Sequence, residues 1–276
     1  MDLKDKTVVI TGGSKGVGAA CARAFARAGA NLVLAARNKK DLEAIAGELR
    51  AVTKVAILAM DVADEESCRN LLKKAQFEFG AVHVIVNNAG YHARGLFESV
   101  AAVDMAMMVD VNLKAPIVMT RLALPYLREA GEGAIINVGS LAGMMGVPNS
   151  AVYSATKSGL RALTFALHEE LRDSGIKVAV VSPGPIDTGF IMSDIDAVSN
   201  LTFSQPISTQ DEVAAQVLAL CAGSKREKAM PVLSGILVTI SSLFPSLARA
   251  MQPLLENKGK RVKRALKAKA RAANRE

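Results

Sequence analysis

The sequence contains no tryptophan and few aromatic residues of any kind, since Phe, Trp and Tyr make up 4% of 276 residues. A hydrophobic core must therefore be packed from aliphatic side chains, and half of all residues are hydrophobic. Cysteine and histidine are also scarce, with three of each scattered along the chain. An odd number of isolated cysteines argues against a disulfide framework and against a zinc site. We therefore expect a cytoplasmic protein without a bound metal.

The net charge is confined to one end of the chain. The formal charge is +8 at pH 7, and residues 257–276 contain nine basic residues and one acidic residue. Residues 1–256 are therefore balanced. At the other end, residues 1–6 lead directly into the strand-like Thr7–Ile10 without a cationic start and an apolar stretch. That pattern predicts no secretory signal peptide.

Short β-branched runs alternate with longer Ala- and Leu-rich stretches, as in βαβ units. Runs such as Val84–Val86 are apolar throughout, which is typical of parallel strands covered on both faces. We predict one Rossmann-like α/β domain over residues 1–230, a doubly wound parallel sheet of about seven strands with helices on both faces. The predicted strands are 7–10, 31–35, 55–58, 83–86, 133–138, 177–181 and, more weakly, 228–232. The predicted helices are 16–28, 39–50, 65–78, 103–129, 151–173 and 209–222, and we expect 189–208 to be mobile.

A glycine-rich turn, Thr11–Gly18, follows the first predicted strand and opens the first helix. Glycines let the backbone approach a pyrophosphate, and the helix N-terminus supplies amide donors and a favourable dipole. The spacing Gly-x-x-x-Gly-x-Gly differs from the commoner Gly-x-Gly-x-x-Gly, and a glycine motif alone can also be a structural turn.

Tyr153 and Lys157 stand four residues apart, so a helix would place both side chains on one face. A phenol titrates near 10 in water, and a neighbouring ammonium group favours its ionised form. Such a phenol can exchange a proton with a carbonyl or alcohol oxygen. Together with a dinucleotide turn, the pair indicates hydride-transfer chemistry.

Seven pieces of sequence occur in an order that is found in one enzyme family. They are Thr11–Gly18, Asp61–Val62, Asn87–Gly90, Asn112, Ser140, Tyr153 with Lys157, and Pro183–Gly184 with Thr188. Over roughly residues 5–230, the chain resembles the short-chain dehydrogenase/reductase family. The fold that this family implies agrees with the predicted sheet.

The resemblance implies four catalytic residues. Tyr153 would be the general acid or base, and Lys157 would lower its pKa and bind the nicotinamide ribose. Ser140 would hold the substrate oxygen, and Asn112, inside a long helix, would bind a water that relays protons towards Lys157. The plainer alternatives are a packing tyrosine, a helix-capping serine and a buried amide. The implied cofactor contacts are Gly12, Ser14, Lys15, Gly16, Val17, Gly18, Arg37, Asp61, Val62, Asn88, Ala89, Gly90, Tyr153, Lys157, Pro183, Gly184 and Thr188.

The charge at the end of the second strand predicts the type of dinucleotide. A site that binds the ribose 2′-OH of NAD carries an acidic residue there, whereas a site that binds the 2′-phosphate of NADP needs basic residues. Ala36 stands where NAD-preferring relatives usually carry Asp, Arg37 follows it, and Lys15 lies in the glycine turn. We therefore expect NADP(H). Arg37 could instead be a solvated residue of a basic turn, and Asp61 a helix cap.

The C-terminal part departs from the family pattern, because many members finish with a strand, a Gly-Gly pair and a few residues that build a tetramer contact, and this chain lacks that ending. Residues 229–248 form an uncharged run of 20 residues, long enough for a membrane span, but five Ser or Thr and two Pro weaken that interpretation. We expect residues 231–256 to be an apolar substrate lip or interface segment, or else a core or dimer helix. Residues 257–276 are expected to be a flexible basic tail.

The sequence thus predicts an NADP(H)-dependent oxidoreductase that interconverts a ketone and a secondary alcohol, with a hydrophobic or lipid-like carbonyl substrate. One alternative is a 3-oxoacyl-carrier-protein reductase, and another is an NADP-loaded regulator or scaffold that is recruited by its basic tail. We expect a homodimer or homotetramer that can be peripheral on an anionic membrane. Nucleic acid is not expected as a partner, because no stacking aromatic residues accompany the cations.

Overall fold

The computed structural model describes residues 1–187, 195 and 198–273, with the side chains of all but 247, 248 and 268–273. Seven strands form one parallel sheet in the order β3-β2-β1-β4-β5-β6-β7. Their bounds are β1 Thr7–Thr11, β2 Asn31–Ala36, β3 Val55–Ala59, β4 Val84–Asn87, β5 Gly133–Val138, β6 Ile176–Pro183 and β7 Glu227–Met230. The predicted fold class is confirmed, and each predicted strand is present to within two residues at either end.

Helices cover both faces of the sheet. They are α1 Gly16–Arg27, α2 Lys39–Leu49, α3 Glu65–Phe79, α4 Ala102–Val109, α5 Ala115–Glu129, α6 Ala151–Glu170, α7 Gln210–Ala222, α8 Val232–Leu243 and α9 Pro245–Ala273. Alternate residues of β1 point to opposite faces: Val8 and Ile10 pack with α1, α2 and α7, whereas Val9 packs with α3 and α5. Two aliphatic cores therefore sandwich the sheet, as the composition predicts.

The predicted helix 103–129 is continuous but not uniform. Between α4 and α5, residues Asp110–Lys114 form a turn of π-helix. Such insertions often occur at functional sites, and this one contains the predicted Asn112. The predicted helix 151–173 ends earlier, at Glu170.

The segment 189–208, predicted to be mobile, lies partly outside the described residues, which omit 188–194, 196 and 197. Its second half is packed rather than loose. Val198, Phe203, Ser204 and Ser208 are buried, and Thr202–Ser204 form a turn of 3-10 helix.

The C-terminal residues form a helix where the sequence led us to expect a flexible tail. Helix α9 runs from Pro245 through Ala273, because Ala, Leu, Lys and Arg are strong helix formers. It also has a packing partner: Gly259 approaches so closely that a Cβ there would lie 1.7 Å from the Asn200 carbonyl oxygen. The Lys263 ammonium donates to the Val198 carbonyl at 2.7 Å. Within the described part of the chain, no helix has the length and apolarity needed to cross a membrane.

Candidate active site

The glycine turn joins β1 to α1 in a conformation that requires glycine. Gly12 and Gly16 adopt φ of 63° and 56°, which side chains disfavour. A Cβ on Gly18 would lie 2.1 Å from the Gly12 carbonyl oxygen. The turn can therefore bring its backbone and the N-terminus of α1 close to an anionic group.

Asn88 ties this turn to the end of the neighbouring strand β4. Its side-chain amide donates to the carbonyl oxygens of Thr11 at 2.9 Å and Gly12 at 3.1 Å. The Thr11 hydroxyl accepts in return from the backbone N–H groups of Asn88 and Ala89. Since chain connections diverge between β1 and β4, this is the crevice where open α/β sheets bind ligands.

A cavity of about 680 Å³ follows this edge of the sheet. It brings together most of the residues singled out from the sequence: Gly12, Ser14, Lys15, Gly16, Val17, Arg37, Asp61, Val62, Asn88, Ala89, Gly90, Ser140, Tyr153, Lys157, Pro183 and Gly184 all line it. Gly18 and Asn112 do not line it, but each contacts a residue that does: Gly18 packs against Gly12, and Asn112 holds the Tyr91 backbone. Thr188 falls outside the described residues. The volume and the glycine cradle fit an extended dinucleotide.

Two cations and one carboxylate stand at the β2 end of the cavity. Arg37 directly follows β2 and is exposed, as a ligand for a phosphate must be. Lys15 is 74% exposed and forms an ion pair of 2.8 Å with Asp41, which also lines the cavity. Asp41 did not stand out in the sequence. Because it partly neutralises Lys15, Arg37 is the stronger candidate for binding a phosphate.

Asp61 follows β3 and reaches the same cavity. Its carboxylate accepts from the Ala63 backbone N–H at 2.9 Å. The cap of helix α3 is a different residue, Asp64, which accepts from the Ser67 backbone N–H. The helix-cap alternative for Asp61 is therefore wrong, and Asp61 lines the cavity instead.

Ser140, Tyr153 and Lys157 converge at the end of β5. The Ser140 hydroxyl accepts from the Ala142 backbone N–H at 3.1 Å, and it lies close enough to the Tyr153 phenol to favour the ionised form of that phenol. Lys157 donates to the Val138 carbonyl at 2.8 Å, and its ammonium lies 5.8 Å from the centre of the Tyr153 ring. Gly143 permits this convergence, since a Cβ there would lie 2.7 Å from the Lys157 backbone.

Burial sets the protonation of both groups. It raises the pKa of Tyr153 above its usual value, and the hydrogen bond from Ser140 and the charge of Arg94 offset only part of that rise. Burial also lowers the pKa of Lys157 to about 8. The sequence led us to expect a lowered phenol pKa because of Lys157. The direction is the reverse because the low-dielectric surroundings disfavour phenolate more than the nearby charges favour it.

Asn112 is fully buried in the π turn. Its amide oxygen accepts from the Tyr91 backbone N–H, and its amide nitrogen donates to the Tyr91 carbonyl, both at 2.8 Å. A third bond, of 3.3 Å, reaches the Thr156 hydroxyl on α6. Asn112 thus joins the loop after β4 to the helix that carries Tyr153 and Lys157, and the proton-relay role predicted for it stays a prediction.

The loop after β4 supplies two residues that the sequence did not single out. His92 stacks on the Tyr153 ring, with ring centres 3.9 Å apart and 12° between the planes. Arg94 lines the same part of the cavity. The only signal in the sequence was their position just after Asn88–Gly90. The contact between His92 and Tyr153 joins residues 61 positions apart, so no local spacing pattern predicts it.

The sequence from β1 to the segment beyond β6 also matches a known family. Residues 6–198 fit the sequence model of the short chain dehydrogenases. The chain belongs to this family of oxidoreductases. This short-chain dehydrogenase is 35% identical over 218 residues to an uncharacterised oxidoreductase of Staphylococcus aureus strain MRSA252, which covers 79% of this chain and 92% of that protein. A second uncharacterised oxidoreductase, from Staphylococcus epidermidis, is 36% identical over 186 residues, covering 67% and 80% of the two chains.

A solved structure has the same fold as this short-chain dehydrogenase. The crystal structure of a short-chain dehydrogenase/reductase from Burkholderia phymatum in complex with NAD matches it with a TM-score of 0.81. The match covers 90% of this chain and 96% of the other, at 24% sequence identity. At that identity the likeness establishes the fold, so the type of cofactor must be argued from the residues of this chain.

Proposed function

We propose that this enzyme reduces a ketone to a secondary alcohol with NADPH. The observation that carries the proposal is one cavity that contains both the glycine turn and the Ser140, Tyr153 and Lys157 side chains. The first fits a dinucleotide phosphate, and the second fits an oxygen that must gain a proton.

The raised pKa of Tyr153 fits the role of proton donor that reduction requires. A phenol that stays protonated at neutral pH can donate its proton to the carbonyl oxygen as that oxygen becomes an alkoxide. Ser140, which lines the cavity beside the phenol, can donate to the same oxygen and stabilise the developing charge. Lys157, held by the Val138 carbonyl, keeps a positive charge beside the phenol and can bind a ribose hydroxyl. A bound NADPH supplies the hydride.

The residues around the second strand support NADPH rather than NADH. Ala36 at the end of β2 leaves room where a carboxylate would repel a phosphate, and the Arg37 guanidinium stands exposed beside it. A guanidinium binds phosphate oxygens with two parallel hydrogen bonds. Asp41 opposes this preference, but it is already paired with Lys15 at 2.8 Å.

Apolar side chains around the catalytic end support a hydrophobic substrate. Leu141, Met145, Val147 and Leu201 line the cavity, and helix α8 adds Val238. Val238 is 4% exposed and faces inward, so α8 is well placed to be the substrate lip expected from the sequence. A lipid-like ketone would bury its chain against these residues.

We also propose that the outer face of α8 contacts an anionic membrane. Large apolar side chains remain exposed on it and directly after it: Leu233, Ile236, Leu237, Ile240 and Leu243 on the helix, and then Phe244. Helix α9, which follows α8 in the chain, exposes two further apolar residues, Met251 and Leu254, and then Lys258, Lys260, Arg261 and Arg264. An apolar patch bordered by cations matches the interface of a bilayer with anionic headgroups. A homodimer or homotetramer is proposed as well, since Val103, Val109 and Ile117 are exposed along α4 and α5.

A panel of ketones tests the proposal against its alternatives. Oxidation of NADPH should be fastest with long-chain or polycyclic ketones. A preference for 3-oxoacyl thioesters on a carrier protein would identify the enzyme as a 3-oxoacyl-carrier-protein reductase. NADPH binding without turnover of any ketone would support the regulator or scaffold alternative and refute the proposal.

A further inference from the structure

His92 covers one face of the proposed catalytic phenol. Its imidazole lies parallel to the Tyr153 ring at a centre-to-centre distance of 3.9 Å, with 12° between the planes. Close parallel packing of two rings restricts rotation of the phenol about its long axis and excludes water from the covered face. Tyr153 can then meet a substrate only along its edge or from its other face.

The imidazole is itself fixed. Its Nε2 lies 3.1 Å from the Ser150 hydroxyl, and Ser150 directly precedes α6, the helix that carries Tyr153. His92 is therefore bound to the same end of α6 as the phenol on which it stacks. The loop that carries His92 is fixed in turn, because Asn112 holds the Tyr91 backbone by both its N–H and its carbonyl.

The imidazole is also neutral at physiological pH. Burial, with the charges of Arg94 and Lys157, lowers the pKa of His92 to about 3. A neutral ring adds no cation that would compete with Lys157 beside the phenol. It is also a poor general acid at neutral pH, so a direct part in proton transfer does not fit its surroundings.

We propose that His92 is a positioning residue for Tyr153, whose stacked imidazole fixes the plane of the phenol, and with it the plane in which the phenolic O–H bond prefers to lie, and keeps water from one of its faces. This inference rests on the proposed function, in which Tyr153 is the proton donor. The ring, rather than its basicity, is the part of His92 that matters.

Two substitutions separate the ring from the rest of the side chain. His92→Phe keeps a flat ring of similar width and loses the bond to Ser150, whereas His92→Ala removes the ring. We expect His92→Ala to lower kcat by about tenfold or more, with NADPH affinity unchanged, because only the orientation of the proton donor is lost. His92→Phe should recover most of that loss. An alanine variant with native kcat, or a phenylalanine variant as slow as the alanine variant, would overturn the proposal.

A titration without turnover tests the same contact independently. The chain has three tyrosines and no tryptophan, so the tyrosinate absorbance of Tyr153 can be isolated as the difference from Tyr153→Phe. Because burial raises the pKa of Tyr153, opening one face to water in His92→Ala should move its ionisation to lower pH. His92→Phe should stay near the native value. Equal ionisation in the alanine variant and the native protein would refute the shielding.

The two measurements distinguish this inference from the proposed function. If no ketone is reduced but the titration shifts as expected, the ring contact is real and the proposed reaction is wrong. If ketones are reduced and His92→Ala neither slows the enzyme nor shifts the titration, the reaction stands and the positioning role is refuted.

Discussion

Replacing Arg37 with alanine should abolish the proposed preference for NADPH over NADH. A hydrogen bond to a charged group contributes about 1.5–3 kcal/mol. Arg37 is exposed, so the lower end of that range applies, and the dissociation constant for NADPH should rise by about tenfold. Lys15 is 74% exposed and already paired with Asp41, so Lys15→Ala should change it by less than about threefold. Neither change should affect the dissociation constant for NADH, which lacks the 2′-phosphate.

The fluorescence of the reduced cofactor measures these constants directly, and the absence of tryptophan removes the main background signal. Lys39→Ala is a matched control, because Lys39, the first residue of α2, is exposed two positions after Arg37 but does not line the cavity. Equal loss of NADH and NADPH affinity in Arg37→Ala would show that Arg37 supports the fold of the site rather than the phosphate. Tighter binding of NADH than of NADPH to the native enzyme would refute the assignment itself.

Three further predictions concern α6 and the C-terminal helices. The pKa of Lys157 falls from its usual 10.5 to about 8 in the folded protein. Between about pH 8 and 10.5 the unfolded chain therefore binds more protons than the folded protein, and the free energy of unfolding should rise with pH across that window. Denaturant titrations of Lys157→Met over the same window should show a smaller rise. Lys263→Met removes the bond to Val198 and should raise KM and lower Tm, whereas Lys260→Met, at an exposed position, should change neither. Reversing the charges of Lys258, Arg261 and Arg264 should abolish cosedimentation with vesicles of phosphatidylserine and phosphatidylcholine. Binding of the native protein to vesicles of pure phosphatidylcholine would contradict the electrostatic part of this proposal.

The sheet could be predicted because its physical requirements are local. Runs such as Val84–Val86 must be covered on both faces, and a glycine turn between a strand and a helix fixes the first crossover. The ends of strands were less well predicted. Strand β6 continues to Pro183, which the sequence indicated only as part of the Pro183–Gly184 motif, because Pro183 pairs with Met230 of β7.

The remaining features depend on contacts between distant residues. No periodicity places His92 on Tyr153, and nothing in the glycine turn indicates that Asp41 pairs with Lys15. The direction of the Tyr153 pKa was mispredicted because spacing reveals a neighbouring charge but not the depth of burial. The tail was expected to be flexible because of its many charged residues. The sequence does not show that Gly259 packs against Asn200, a contact that gives the helix a packing partner.

The central claim is that Tyr153 delivers a proton to a ketone within a cavity that holds NADPH. Its most direct test compares the native enzyme with Tyr153→Phe, using the most active ketone of the panel and the dissociation constant for NADPH. Removing only the hydroxyl should lower kcat by at least about a hundredfold and leave NADPH binding within about twofold. A phenylalanine variant that retains more than about a tenth of the native kcat would contradict the claim, since another group would then be the proton donor.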